Sequence, residues 1–87
     1  MGEVTVHYFA TVMTVTKCSY EKFTLPDEWL KISDLTRLIV ARYPDTEIDR
    51  VLESSRWIVG GAMVSPSEPF DFKDGDNVHI VPRLVGG

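Results

Sequence analysis

One helical stripe set among alternating segments constrains this chain more than any other feature. Leu35, Leu38, Ile39 and Tyr43 recur at the spacing of a helix face. Ser33 stands before them as the expected N-cap, and Asp34 follows in the first turn, where the helix dipole favours negative charge. Pro44 lacks a backbone donor and disfavours helix at Tyr43, so the helix is expected to stop there. Ile48, Val51 and Leu52 share a face and predict a weaker helix over residues 46–53. A chain of 87 residues has room for one domain. It buries only about 60–65% of the surface its unfolded form exposes, which allows one modest core and no deep catalytic cleft.

The flanking segments have a period of two. Val4, Val6, Tyr8 and Ala10 alternate with Thr5, His7 and Phe9, which predicts a first strand. Residues 11–16 are mostly β-branched and lack Gly or Asn, so they are taken as the end of that strand and a loop. Residues 17–25 resume strand character, with Cys18, Tyr20, Phe23 and Leu25 expected in the core, and the two segments together predict an N-terminal hairpin. Further on, residues 56–59 and 62–64 predict two short strands around a Gly60-Gly61 bend, with Trp57, like Tyr43, as a core anchor. Ser65-Pro66-Ser67 and Pro69 predict a surface loop, and Asp74-Gly75-Asp76-Asn77 a turn. A last strand is expected over residues 78–84, with Val78 and Ile80 facing one way and His79 and Val81 the other. Pro82 predicts an edge, or the point where pairing ends.

The order is β-β-α-(short α)-β-β-β. These are the ingredients of an α+β fold of the β-grasp type, a mixed sheet with one main helix packed across one face. Strand one lies centrally beside the last strand, and the long crossover lets the two run parallel.

Nine basic residues against thirteen acidic give a net charge of −4, a poor match to nucleic acid or anionic lipid. A single cysteine excludes an internal disulfide framework and a Cys-based zinc cage, and suits a reducing, cytoplasmic compartment. No apolar run reaches the roughly 18 residues that span a bilayer, and the N-terminus lacks a signal pattern. The phosphate-cradling, metalloprotease and nucleophile-elbow motifs are all missing. His7 and His79 fall on the outward parity of neighbouring strands with no third ligand in view, so no metal site is expected. Cys18 has only Lys17 beside it to lower its pKa and is expected to act as a small hydrophobe. Asp71, Asp74 and Asp76 lack a downstream bidentate Glu and serve turn chemistry rather than calcium.

The sequence closes on Gly86-Gly87 directly after a strand. A terminal Gly pair adds nothing to a core. It does make a thin tail that can thread a narrow channel into another enzyme. Two readings stand: a frayed end, or a tail whose Gly87 carboxylate is itself the reacting group, activated by ATP as an acyl-adenylate. A chain used in this way is a carrier, not an enzyme.

On these residues the chain resembles the ubiquitin-like proteins, and most of all the sulfur carriers among them: the small subunit of molybdopterin synthase and the thiamine-pathway sulfur carrier. The resemblance runs through Val6-His7-Tyr8-Phe9-Ala10, Leu25-Pro26, Tyr43-Pro44, Asp74-Gly75-Asp76-Asn77-Val78 and Gly86-Gly87. It implies a ubiquitin-like β-grasp domain over residues 1–85 and a tail at 86–87. It implies an E1-like adenylating enzyme as partner, with ATP used by that enzyme and no cofactor bound by this chain. Gly87 would be activated and converted to a thiocarboxylate, with Gly86 as spacer. Phe9, Met63, Val81, Arg83 and Leu84 would form the partner-binding surface, and a large synthase subunit or a processing peptidase would be a further partner. Pro82-Arg83-Leu84-Val85 stands where sulfur carriers place a Pro-Pro pair, and Gly60 where they often carry Asn. The last strand also resembles ubiquitin and the ubiquitin-like domain of lambda-like phage tail assembly proteins. Two alternatives therefore stand beside the sulfur carrier: a protein modifier joined to target lysines through Gly87, and an assembly domain that never reacts.

Overall fold

The computed structural model describes residues 2–26, 32–65, 70 and 72–82. The elements in chain order are β1 (Gly2–Tyr8), α1 (Ala10–Thr16), β2 (Tyr20–Leu25), α2 (Ile32–Arg42), α3 (Ile48–Glu53), β3 (Ser55–Val59), β4 (Ala62–Val64) and β5 (Asn77–Pro82). The strands form one five-stranded sheet in the order β2-β1-β5-β3-β4. β1 and β5 run parallel at its centre, with Val6 opposite Val78, and the remaining neighbours are antiparallel. The long crossover between β1 and β5 makes the parallel pair possible.

Alternation decides which side of the sheet is dry. Val4, Val6 and Tyr8 of β1, Phe23 and Leu25 of β2, Trp57 and Val59 of β3, and Val78 and Ile80 of β5 are all buried. The helices close over them: α2 buries Ile32, Leu35 and Ile39, and α3 buries Ile48 and Leu52, all in the same apolar cluster. Trp57 is the core anchor expected of it, and Tyr43 packs half-buried at the margin. The Gly60-Gly61 bend holds both glycines at positive φ, and Gly75 does the same in the turn before β5. No helix among the described residues is long and apolar enough to cross a membrane.

The largest departure from the sequence expectation lies after β1. The first strand stops at Tyr8, and residues 10–16 form helix α1 instead of a strand end and loop. Phe9 is extended, Ala10 turns to φ 52°, and Val12 and Thr16, four residues apart, enter the interior together. Such a short, β-branched segment has little helix propensity of its own, so packing against α3 and β5 must supply it. Lys17, in the left-handed conformation, closes α1 by donating its N–H to the Met13 carbonyl.

Smaller corrections share one cause, the register of each element. β2 begins at Tyr20, so residues 21, 23 and 25 point inward and Tyr20 is exposed rather than buried; Cys18, half-buried, precedes the strand. α2 already includes Ile32, which places Ser33 inside the helix and not at its N-cap, while Asp34 holds its first-turn place and pairs with Arg37. α3 starts at Ile48, because the Thr46 hydroxyl donates to the Tyr43 carbonyl and accepts from the Ile48 N–H, which keeps residues 43–46 in a turn. Pro82 does not mark an edge strand, since β5 lies between β1 and β3, but it is where pairing ends, the other alternative expected of it. It is paired with Ser55, and the β1 ladder has already ended at Tyr8 and Ile80, so its missing N–H breaks no bond to β1. Pro66, Ser67, Pro69 and Asp71 lie outside the described residues.

Candidate functional site

The positions opposite the core set form a second sheet face that the helices leave open. One row crosses all five strands: Tyr20, His7, His79, Ile58 and Met63 are successive paired neighbours from β2 to β4. The His7 and His79 rings stack with centroids 4.6 Å apart and planes within 10°. Tyr20 adjoins His7 at 6.2 Å, and Phe9 stacks on His79 at 6.0 Å, so four rings form a continuous strip. Tyr20 is 57% exposed, Met63 59% and Phe9 41%, a high exposure for large apolar side chains. His7 Nε2 lies 2.9 Å from Asn77 Oδ1; the amide oxygen only accepts, so the imidazole Nε2–H donates. Nearer the end of β5, Val81 pairs with Arg56, whose Nη1 donates to Met63 Sδ at 3.3 Å.

Of the residues singled out in the sequence, Phe9, Met63 and Val81 stand on this one face around His79. Arg83, Leu84, Gly86 and Gly87 lie outside the described residues, beyond Pro82 at the end of β5. Sequence reasoning missed Tyr20, Arg56 and Ile58. The alternation of Arg56 and Ile58 with Trp57 and Val59 was the signal that would have found two of them. At the same end of the sheet a groove of about 220 Å³ runs between α1, α3 and β5, lined by Phe9, Val12, Val51, Ser55 and Pro82 among others. It exists because residues 10–16 are helical. No group of three metal-ligating side chains occurs among the described residues.

A polar cluster fixes the other margin of β1. Glu21 shares the inward parity of Val6, and its two carboxylate oxygens accept from the Tyr8 and Tyr43 hydroxyls, both at 2.6 Å. With the Tyr43 proton so committed, the Cys18 thiol, 3.6 Å away, donates to the phenol oxygen. Arg42 adds a longer ion pair to Glu21 at 3.7 Å and covers the Phe23 ring at 4.1 Å. Burial pushes the Tyr8 phenol well above the usual tyrosine range, and its hydrogen bond to Glu21 and that carboxylate's charge add to the effect. Tyr43 is raised in the same way, by desolvation and then by its bonds to Glu21 and Cys18. The cluster ties the end of α2 to β1 and β2; it belongs to the framework and lies off the open face.

A mixed sheet with a parallel central pair, helices across one face and the other face open defines a ubiquitin-like β-grasp protein. No protein-family model matches the chain. It is 32% identical over 85 residues to the molybdopterin synthase sulfur carrier subunit of Chlamydomonas reinhardtii, covering 98% of this chain and 99% of that protein. Among solved structures it is similar to molybdopterin converting factor subunit 1 of Pyrococcus furiosus, with TM-score 0.74 and 26% identity, over 97% of this chain and all of that one. It also shares the fold of one chain in the complex of subunits 1 and 2 of the molybdopterin-converting factor of Helicobacter pylori, with TM-score 0.62 and 19% identity over 98% of this chain and 99% of that one. The chain belongs to the family of molybdopterin synthase sulfur carrier subunits.

Proposed function

We propose that this chain carries sulfur as a thiocarboxylate on Gly87 and delivers it within a molybdopterin-type synthase. The observation that carries the reading is the match to a sulfur carrier subunit along nearly its whole length, together with the Gly86-Gly87 pair a few residues beyond β5. Activation starts with attack of the Gly87 carboxylate on the α-phosphate of ATP, held by an E1-like enzyme, with release of pyrophosphate. A hydrosulfide-level sulfur nucleophile then displaces AMP from the acyl-adenylate and leaves the thiocarboxylate. Every catalytic group and the nucleotide belong to the activating enzyme, and this chain supplies the acyl group and a docking surface. Gly86 lacks a Cβ and keeps the tail thin enough for a narrow channel. The Helicobacter pylori complex of two subunits supports a large synthase subunit as the receiving partner.

Deletion of Gly86 and Gly87 tests this reading. The truncated chain is expected to keep its circular dichroism spectrum and unfolding midpoint while ATP-dependent pyrophosphate release by the activating enzyme is lost. Undiminished release from the truncated chain would contradict the proposal.

A further inference from the structure

The core-facing row of β5 runs out of the core and into a groove. Val78 and Ile80 are fully buried, and Pro82, next on the same parity, lines the groove between α1, α3 and β5. Leu84 follows Pro82 at the same spacing of two, while residues 83–87 lie outside the described ones. From the parity of β5 and the groove at its end we infer that Leu84 seats in this groove and is a positioning residue, fixing where the last three residues leave the fold. The inference rests on the carrier reading and deepens it by naming how the reacting end is aimed.

The groove has the size and the chemistry for an aliphatic side chain. It measures about 220 Å³, and an apolar cavity of about 150 Å³ already takes a six-carbon ring. Phe9, Val12, Val51 and Pro82 supply its apolar lining. The hydroxyls of Ser54 and Ser55 on the same wall both donate to the Val51 carbonyl, at 3.1 and 2.7 Å, and so ask nothing of an occupant. Reach and parity select the residue. Leu84 stands two residues past Pro82, about 7 Å of extended chain. Arg83 and Val85 have the opposite parity, which is that of Val81 and the open face, and Gly86 and Gly87 have no side chain to seat. Beyond Leu84, Val85-Gly86-Gly87 give about 10 Å of reach. A tail held at Leu84 has three residues left to order when it threads a channel, where a tail held only at Pro82 has five.

The test uses the full chain, free and with the activating enzyme of the same organism. In the free chain, through-space proton contacts measured by NMR are expected to join the Leu84 methyls to Val12 and Val51. Leu84→Ser should raise the KM of the chain in ATP-dependent pyrophosphate release about tenfold and leave kcat unchanged, because ordering the tail is left to the binding step. Leu84→Met should bring KM back to within about twofold of the wild type, since it fills a similar volume. A merely structural role would lower the unfolding midpoint and leave KM alone. Absence of the contacts to Val12 and Val51, or contacts of Leu84 with Val81 and His79 in their place, would overturn the seat, and a raised KM would then mark Leu84 as a direct contact of the enzyme. An unchanged KM in Leu84→Ser, or a fall in kcat at unchanged KM, would overturn the positioning role. No pyrophosphate release with the wild type would contradict the carrier reading and the positioning role together, while the contacts in the free chain report on the seat by themselves.

Discussion

Glu21 meets three side chains from two other parts of the chain: Tyr8 of β1, and Arg42 and Tyr43 at the end of α2. It is a carboxylate on the inward parity of β2, and it stays there because two phenols and a guanidinium meet it. Glu21→Ala would leave the buried Tyr8 hydroxyl without its acceptor and is expected to cost about 2–4 kcal/mol, measured by urea unfolding. The same cluster sets a pH dependence. In the unfolded chain tyrosine ionises near pH 10, whereas in the folded chain Tyr8 and Tyr43 are held well above that value. The unfolded state therefore releases protons first, so this contribution is complete below about pH 10 and is lost progressively as the pH rises beyond it. A denaturation midpoint that is flat between about pH 9 and about pH 11 would contradict this, and Tyr43→Phe should make the decline shallower. None of the cluster was legible in the sequence. Glu21 stands 13 residues from Tyr8 and 22 from Tyr43, and only the fold brings the three together.

The elements differ in how far local sequence determines them. α2 was legible because its stripe, its first-turn Asp34 and the stop at Pro44 all agree; only its start was misplaced, since Ser33 has cap chemistry but Ile32 is already needed in the core. Leu35→Ala removes a fully buried side chain from that stripe and is expected to destabilise the protein by about 2–5 kcal/mol in chemical denaturation. α1 was not legible. Thr11, Val12, Thr14, Val15 and Thr16 have strand propensity, and the helix follows from where Val12 and Thr16 must go once β1 has ended. Its left-handed cap offers a direct check: Lys17→Gly relieves the strain of a side chain at φ 60° and is expected to raise stability by about 0.5–1 kcal/mol. A loss of stability in that variant would mean that the conformation at residue 17 is not what ends α1.

At the scale of the whole molecule, the fold class and the central parallel pair were legible because period-two and helical segments follow one another in an order that few topologies satisfy. The open face was legible in part. Parity alone placed His7, His79 and Val81 outward, whereas their assembly with Tyr20, Ile58 and Met63 into one cross-sheet row depends on strand order, which no local pattern encodes. One side of the sheet is spent on the core, and the other is left as a ring-lined surface that reaches Val81, next to Pro82. That division of labour suits a molecule that is docked and acted upon. The intact mass of the protein purified from its own host tests the carrier role directly. A shift matching one oxygen exchanged for sulfur, located at Gly87 by fragmentation, is the predicted result. A fully unmodified chain from cells actively making the cofactor, with the mass taken under conditions that preserve thiocarboxylates, would contradict it.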